Sequence, residues 1–239
     1  LKDIRPGTAH ESVPLAEASG RYLAEAPRAR VDHPAFDNSA MDGYAVRLAD
    51  LAAHDFRLPL HGESSCGQAP AALQPSSTMR IFTGAPMPAG ADAVVIQEDI
   101  QAQDGRIVFP HSIKQGQHLR RRGEDFHAGD ELLRPGQRLD AWKLALLSTA
   151  GVEKIEVFRR ARVLVVATGN ELVAPGQALQ PGQIYESNRL ATLLQIRALG
   201  AEAIDGGTAR DEPDALRRLL RNAGAYDFVI TSGGASVGD

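Results

Sequence analysis

The sequence predicts a multi-domain protein of α/β and β class: a small helical segment and a β-rich region, followed by an incomplete parallel α/β domain. Three observations carry that reading. Glycine and proline are dense, 23 and 14 among 239 residues, and so many turn formers favour short elements over a long helical bundle. From about Phe56 to Val108, apolar runs alternate with prolines and an Asp-Gly turn. Beyond Arg162, three apolar strand patterns alternate with two helical ones, the pattern of a right-handed β-α-β-α-β unit with parallel strands.

Taken in order, Val13 to Ala26 places Leu15, Ala18, Tyr22 and Leu23 at near-helical spacing and is expected to be the small helix. A proline-interrupted stretch runs from Pro27 to Pro34, and the segment Phe36 to Val46 then interleaves small, turn-forming and apolar residues so tightly that its polar side chains are expected to have assigned partners. Pro59, Pro70, Pro75, Pro86 and Pro88 forbid long helices in the β-rich region. Asp104-Gly105 falls between Val94–Ile100 and Ile107-Val108-Phe109 and reads as a hairpin turn, because glycine accepts positive φ without a Cβ clash. Leu139 to Gly151 reads as a helix with Asp140 as N-cap and Gly151 just past its end, followed by a strand at Ile155–Phe158. In the last part, Arg162–Thr168 is a buried-strand pattern and Asn188–Leu199 a helix ended by Gly200. Ala201–Gly206 is a second strand, Glu212–Ala223 a helix with Pro213 in its first turn, and Asp227–Thr231 a third strand. The alternation stops there, although a parallel sheet needs both faces covered. The sequence is therefore expected to be a fragment, and its start at Leu1 without Met agrees.

Composition excludes several functions. A net charge of −4, from 26 basic and 30 acidic residues, lacks the basic surplus that displaces counterions from nucleic-acid phosphates. Aromatics at 5% are too sparse for base-stacking platforms. No apolar run approaches a membrane span, and no charged segment leads into an apolar one at the start, so neither membrane insertion nor a leader is expected. Cys66 is the only cysteine, which rules out a disulfide framework or thiolate zinc cluster and suits a reducing cytoplasm. The seven histidines show no H-x-H or H-x₃-H pairing, so a histidine metal site is not expected. P-loop, G-x-G-x-x-G and G-x-S-x-G motifs are absent.

Ligands of open α/β sheets collect at the carboxyl ends of the strands. Three such ends are legible: Thr168-Gly169-Asn170-Glu171, Gly206-Gly207-Thr208-Ala209-Arg210-Asp211, and Ser232-Gly233-Gly234-Ala235-Ser236-Val237-Gly238-Asp239. Each joins glycines, which let backbone N–H groups approach an anion, to a hydroxyl or carboxylate, which suits a cation bridging a phosphate. Taken singly, each is also an ordinary turn composition; their agreement points to a phosphate- or oxyanion-containing ligand. The run Arg120-Arg121-Arg122-Gly123-Glu124-Asp125 reads either as an oxyanion clamp or as a solvated turn. Gly129–Leu139 and Gly169–Leu179 share the pattern G-[DN]-E-L-x-x-P-G-Q-x-L. Two copies make no repeat architecture, so a shared loop shape is expected, with function at Glu171 and not at Glu131, which follows no buried strand.

Together, Asp37–Ala45, Thr83–Pro88 with Gly90–Val95, Arg121–Asp125, Thr168–Leu172 and Thr231–Asp239 resemble the MoeA family of molybdopterin molybdenumtransferases, whose eukaryotic relative is the gephyrin E domain. The resemblance implies a discontinuous helical or linking domain over residues 1–52 and 124–158, a β-rich domain over 53–123, and a truncated, MogA-like molybdopterin-binding α/β domain over 159–239. It implies insertion of molybdenum from molybdate into adenylated molybdopterin with release of AMP, assisted by Mg²⁺. Matched residue by residue, Asp42, Asp125, Glu171 and Asp211 fall on the family's active-site carboxylates, with Glu171 and Asp211 as metal ligands. Thr83, Arg120, Gly169, Asn170, Gly233, Gly234 and Ser236 fall on ligand-binding positions. A homodimer with an inter-subunit site is implied, as are a MogA-type adenylyltransferase and molybdoenzyme apoproteins as partners. Two other readings stay open: a non-catalytic scaffold of gephyrin type, and a generic nucleotide-binding α/β protein.

Overall fold

Short strands dominate, as the glycine and proline spacing requires. The computed structural model describes residues 9–69, 71–210, 212, 214, 217–218 and 221–233. In chain order the elements are β1 (His10–Pro14), β2 (Asn38–Ser39), β3 (Gly43–Val46), α1 (Leu48–Ala53), β4 (Arg57–Ser64), β5 (Thr78–Ile81), β6 (Ala93–Ile96), β7 (Gln101–Gln103), β8 (Arg106–Val108) and β9 (Leu119–Arg120). They continue with α2 (Ala141–Thr149), β10 (Lys154–Phe158), β11 (Arg162–Thr168), β12 (Leu172–Val173), β13 (Ile184–Tyr185), α3 (Asn188–Ala198), β14 (Glu202–Ala209) and β15 (Phe228–Ser232). The chain divides into two compact units. One comprises Leu1–Ala26, Arg134–Leu144 and Lys154–Asp239, the other Pro27–Leu133 and Ala145–Glu153.

The second unit is built on a mixed six-stranded sheet in the order β6-β3-β5-β4-β8-β7. The alternation of side chains along β3 and β6 feeds two cores. Val46 and Val95 join Leu51, Leu58, Ile107 and Phe109 in one; Ala45 and Val94 join Ile81 and Ala85 in the other. The expected hairpin links β7 to β8, with Asp104 at φ 49° and Gly105 at φ 72°, the left-handed pair that a two-residue turn between twisted strands demands.

In the first unit β1 pairs antiparallel with β10, and a three-stranded parallel sheet runs β14-β11-β15. β11 spans the residues the apolar pattern picks out. Its side chains are buried alternately on both faces: Val163 and Val165 pack against Leu193 and Ile196 of α3, and Leu164 and Val166 against Ala209. The expected second strand is longer than its pattern and runs to Ala209, because the pairing with β11 shifts register between Val165 and Ala167. A Cβ on Gly206 would lie 2.7 Å from Val166 Cγ2, so this bulge needs glycine. Glu212–Ala223 falls partly outside the described residues. Asp214, Arg217 and Arg218 are helical, and Ala223–Ala225 forms a 3₁₀ turn.

The small helix at Val13–Ala26 does not form. Val13 and Pro14 belong to β1, Leu15–Glu17 is one 3₁₀ turn, and Gly20 turns the chain at φ 76°. Extended pairing wins over the near-helical spacing: Tyr22 bridges to Arg138 and Leu23 to Val157. Ala18 and Leu23 are fully buried while Tyr22 is exposed. The second expected helix does form as α2, and Asp140 caps it by accepting the Lys143 N–H at 2.9 Å.

One glycine-glutamine turn recurs along the chain and includes the Pro-Gly-Gln of the first copy of the shared pattern. In Lys114-Gln115-Gly116-Gln117, Arg134-Pro135-Gly136-Gln137 and Gln180-Pro181-Gly182-Gln183, the final glutamine side chain accepts the N–H of the first residue at 3.0–3.1 Å. Its own N–H donates back to the first residue's carbonyl. Each glycine has positive φ, as the third position of a type II turn requires. Ala174–Gln177 shares the main-chain bond at 3.3 Å.

Candidate functional site

In the second unit, three stretches distant in sequence meet along Asp37–Val46. β2 pairs with β9, placing Asn38 opposite Arg120. Ser39 donates its N–H to the Ala85 carbonyl and accepts from Gly84 N–H at its own, while Ala40 N–H reaches the His118 carbonyl. The buried Ser39 hydroxyl donates to the Met41 carbonyl at 2.6 Å. Of the segment's polar side chains, Asp37, Ser39 and Asp42 have assigned hydrogen-bond partners.

β3 and β5 are antiparallel with Gly43 opposite Ile81, so Asp42, just before β3, and Thr83, just after β5, lie at the same end of the pair. Asp42 Oδ1 accepts both the Thr83 N–H at 2.7 Å and its hydroxyl at 2.9 Å. These bonds, first the backbone one, hold the Asp42 carboxyl below the usual aspartate range, and the Arg80 guanidinium adds to the effect.

Arg120 Nη2 donates to both carboxylate oxygens of Asp125 at 2.7 Å, and this partner makes Arg120 hold its proton more tightly. His33 Nε2 lies 3.6 Å from Asp125, its ring stacked on Phe126 with centroids 5.4 Å apart. Arg121 pairs with Asp37 at 2.9 Å. Arg122 pairs with Asp32 at 2.5 Å, and Asp32 also accepts the Ala128 N–H at 2.8 Å. The run of three arginines is thus not a bare cationic clamp: each already meets a carboxylate, and an oxyanion there must compete with it.

A pH dependence follows. Asp32 is also held below the usual range, chiefly by the Ala128 N–H and then by Arg122. Carboxyls depressed in the folded state stabilise it fully above the ordinary aspartate pKa of about 3.9 and lose that contribution as pH falls through their lower folded values. Below about pH 4, the thermal unfolding midpoint of the Asp32→Asn/Asp42→Asn chain is expected to fall less steeply than that of the native chain. Equal slopes would contradict this assignment.

In the first unit the strand ends coincide. Thr168 is in register with Ala209, and Ala167 with Ser232. Gly169 N–H donates to the Ala209 carbonyl at 3.2 Å. Gly233 sits so close to β11 that a Cβ would lie 2.1 Å from the Thr168 carbonyl oxygen. The Glu171 carboxylate folds over Gly169, where a Cβ would meet its oxygens at 2.5 and 2.7 Å. Among the described residues no cation pairs with Glu171, whereas its counterpart in the repeated pattern, Glu131, is ion-paired to Arg28.

The structure therefore gathers Asp42 with Thr83 and Arg120 with Asp125 in one unit, and Gly169, Asn170, Glu171 and Gly233 at one sheet edge of the other. Asp211, Gly234 and Ser236 lie outside the described residues. Among the described residues no group of three or more His, Cys, Asp or Glu side chains gathers to hold a metal. Mg²⁺ uses one or two carboxylates and completes its shell with water and substrate phosphates, so the oxygen donors at this edge fit it chemically. Sequence reasoning passed over Arg80, Asp32, Asp37 and His33. Arg80 had a local signal, a lone cation inside the apolar run Met79-Arg80-Ile81-Phe82; the partners of the other three lie on distant segments.

A parallel sheet with glycine-lined strand ends and a β-rich unit presenting hydrogen-bonded carboxylates define a protein of mixed α/β and β construction. Comparison with known proteins narrows the class. Residues 1–151 match the family described as "MoeA N-terminal region (domain I and II)", and residues 164–239 match "Probable molybdopterin binding domain". The chain belongs to the MoeA family. It is 41% identical over 235 residues to a molybdopterin molybdenumtransferase of Nostoc sp., covering 96% of this chain and 54% of that protein. It is 42% identical over 242 residues to one of Haemophilus influenzae, covering 100% and 60%. The crystal structure of a molybdopterin biosynthesis MoeA protein from Pyrococcus horikoshii superposes with a TM-score of 0.87 at 30% identity, covering 99% of this chain and 64% of that one. The chain thus spans between half and two thirds of the length of these proteins. No helix among the described residues is long and apolar enough to cross a membrane.

Proposed function

We propose that this chain forms part of a molybdopterin molybdenumtransferase, which inserts molybdenum from molybdate into adenylated molybdopterin and releases AMP. The observation that carries the reading is its identity of 41–42%, over 96–100% of its length, with proteins of that name. The glycine-lined strand ends and the Asp42–Thr83 pair support it. In this reading residues 159–239 form a MogA-like molybdopterin-binding domain, 53–123 a β-rich domain, and 1–52 with 124–158 the linking domain. The protein works as a cytoplasmic homodimer with its site shared between subunits. It receives its substrate from a MogA-type adenylyltransferase and passes the product to molybdoenzyme apoproteins.

Cleaving a phosphoanhydride needs charge neutralisation and positioning more than a covalent nucleophile. The turn at Gly169 and Asn170 and the glycine loop at Gly233 and Gly234, with the Ser236 hydroxyl, line the site of the anionic ligand, Gly169 serving by its close backbone approach since its own N–H is bonded to Ala209. Glu171 and Asp211 would hold Mg²⁺, which would supply positive charge to the phosphate oxygens. Asp42, anchored by Thr83, and Asp125, anchored by Arg120, orient the reacting groups.

In full-length protein, Asp42→Asn is expected to lower molybdate-dependent AMP release at least about tenfold, since it weakens an oriented, charge-assisted hydrogen bond. AMP release assayed with adenylated molybdopterin and molybdate tests the proposal directly. No release by the unaltered full-length protein would overturn the reading.

A further inference from the structure

Arg80 is distinguished by what surrounds it. Its guanidinium carbon lies 5.1 Å from the ring centroids of both Tyr44 and Phe82, so two aromatic faces hold it. The sheet enforces this: Tyr44 is its cross-strand partner on β3, and Phe82, two residues on, extends along the same line of chain. Its hydrogen bonds go to neutral acceptors, and Glu63, its register partner on β4, accepts from Ser65 instead. Nη1 donates to the Gly43 carbonyl at 3.4 Å, and Nη2 donates to Gln97 Oε1. A guanidinium carries five N–H donors, and these two bonds leave the rest of the fork unspent. Among the described residues no carboxylate forms an ion pair with Arg80, whereas Arg120, Arg121 and Arg122 in the same unit each have one. The side chain is half-buried, not sealed, and it stands at the Asp42–Thr83 end of the β3–β5 pair.

An arginine pinned by two rings has lost its rotamer freedom before any ligand arrives, and its planar fork matches tetrahedral oxyanions. The ring faces satisfy its charge only in part. An anion approaching Asp42 must also overcome that carboxylate's repulsion, and a fixed, unpaired cation beside it removes the obstacle.

We propose that Arg80 is the oxyanion-binding residue of the second unit, receiving a tetrahedral oxyanion, either molybdate or a nucleotide phosphate, beside Asp42 and Thr83. The proposal rests on the transferase reading for the identity of the anion, but its test does not depend on turnover.

The test is calorimetric titration of the 239-residue chain with sodium molybdate in one arm and AMP in the other. The arm that saturates identifies the source of the oxyanion. Arg80→Gln is expected to weaken that binding about tenfold or more, the usual weight of a charge-assisted contact. Arg80→Lys, which keeps the charge but loses the planar fork, is expected to fall between. Arg57→Gln, the same charge change at an exposed position of β4, is expected to bind as the unaltered chain does. Circular dichroism of each variant confirms that the fold is kept, and Arg80→Lys carries the test if Arg80→Gln unfolds. Unchanged affinity in folded Arg80 variants, or no saturable binding in either arm by the unaltered chain, overturns the proposal. If full-length protein turns over while the Arg80 variants bind normally, this inference alone fails. If the Arg80 variants lose binding while full-length protein shows no turnover, the transferase reading fails and Arg80 stands as an anion site.

Discussion

Gly43→Ala is expected to be the most destabilising single methyl addition in the six-stranded sheet, at a cost of about 3 kcal/mol or more. Gly43 opens β3 between two neighbours, opposite Ile81 on β5 and Ile96 on β6. A Cβ built on it would lie 2.1 Å from the Val95 carbonyl oxygen and 2.9 Å from the Val95 carbonyl carbon. These are backbone atoms of a central pairing, so no side chain can swing away; relief requires β3 and β6 to part. Both cores depend on that pairing, through Val46 with Ala93 and through Ala45 with Val94. For a chain of this length the thermal midpoint should fall by roughly 6–12 °C. Gly105→Ala provides the contrast. Its glycine has positive φ and open space around the missing Cβ, so only the left-handed backbone penalty of about 1–2 kcal/mol applies. Thermal unfolding of both variants by circular dichroism checks the order; equal losses would mean that β3 and β6 do not approach this closely.

Glu171→Ala in full-length protein is expected to reduce molybdate-dependent AMP release about a hundredfold or more, the scale seen when a group stabilising developing charge is removed. Glu131→Ala is expected to retain most of the activity. The two glutamates occupy the same place in the same eleven-residue pattern, so propensity and composition are matched between them. Their surroundings differ. Glu131 is spent on an exposed ion pair with Arg28, which contributes at most about 1 kcal/mol. Glu171 follows the end of a buried parallel strand and folds over Gly169 without a cationic partner among the described residues. Stability of the two variants should differ little. Equal loss of AMP release in both would overturn the assignment of function by strand context.

Part of this was open to a reader of the chain alone. β11, α2 with its Asp140 cap, α3 ended by Gly200, and the Asp104-Gly105 hairpin stand where apolar period, caps and turn residues put them. Those signals are local: each element satisfies its own backbone hydrogen bonds within a few residues or declares its turn by a glycine that must adopt positive φ. The segment Val13–Ala26 marks the limit of that logic. Its spacing suits a helix, yet bridges from Tyr22 to Arg138 and Leu23 to Val157 hold it extended, and neither partner is within a hundred residues.

The sequence by itself determined the element types of the parallel sheet, the residues at its strand ends and the resemblance that names their chemistry. Tertiary structure alone decided which charges are already spent and which are not. Asp42 and Thr83 are 41 residues apart and meet because two antiparallel strands end together. Arg121 and Arg122 find Asp37 and Asp32 across more than 80 residues, and that pairing turns the densest cationic run of the chain into a neutralised one. Arg80, unremarked in the sequence, is left as the cation between two rings. Charge is additive along a sequence, but its effect at a site depends on distance and on the partners packing supplies, and those are properties of the fold.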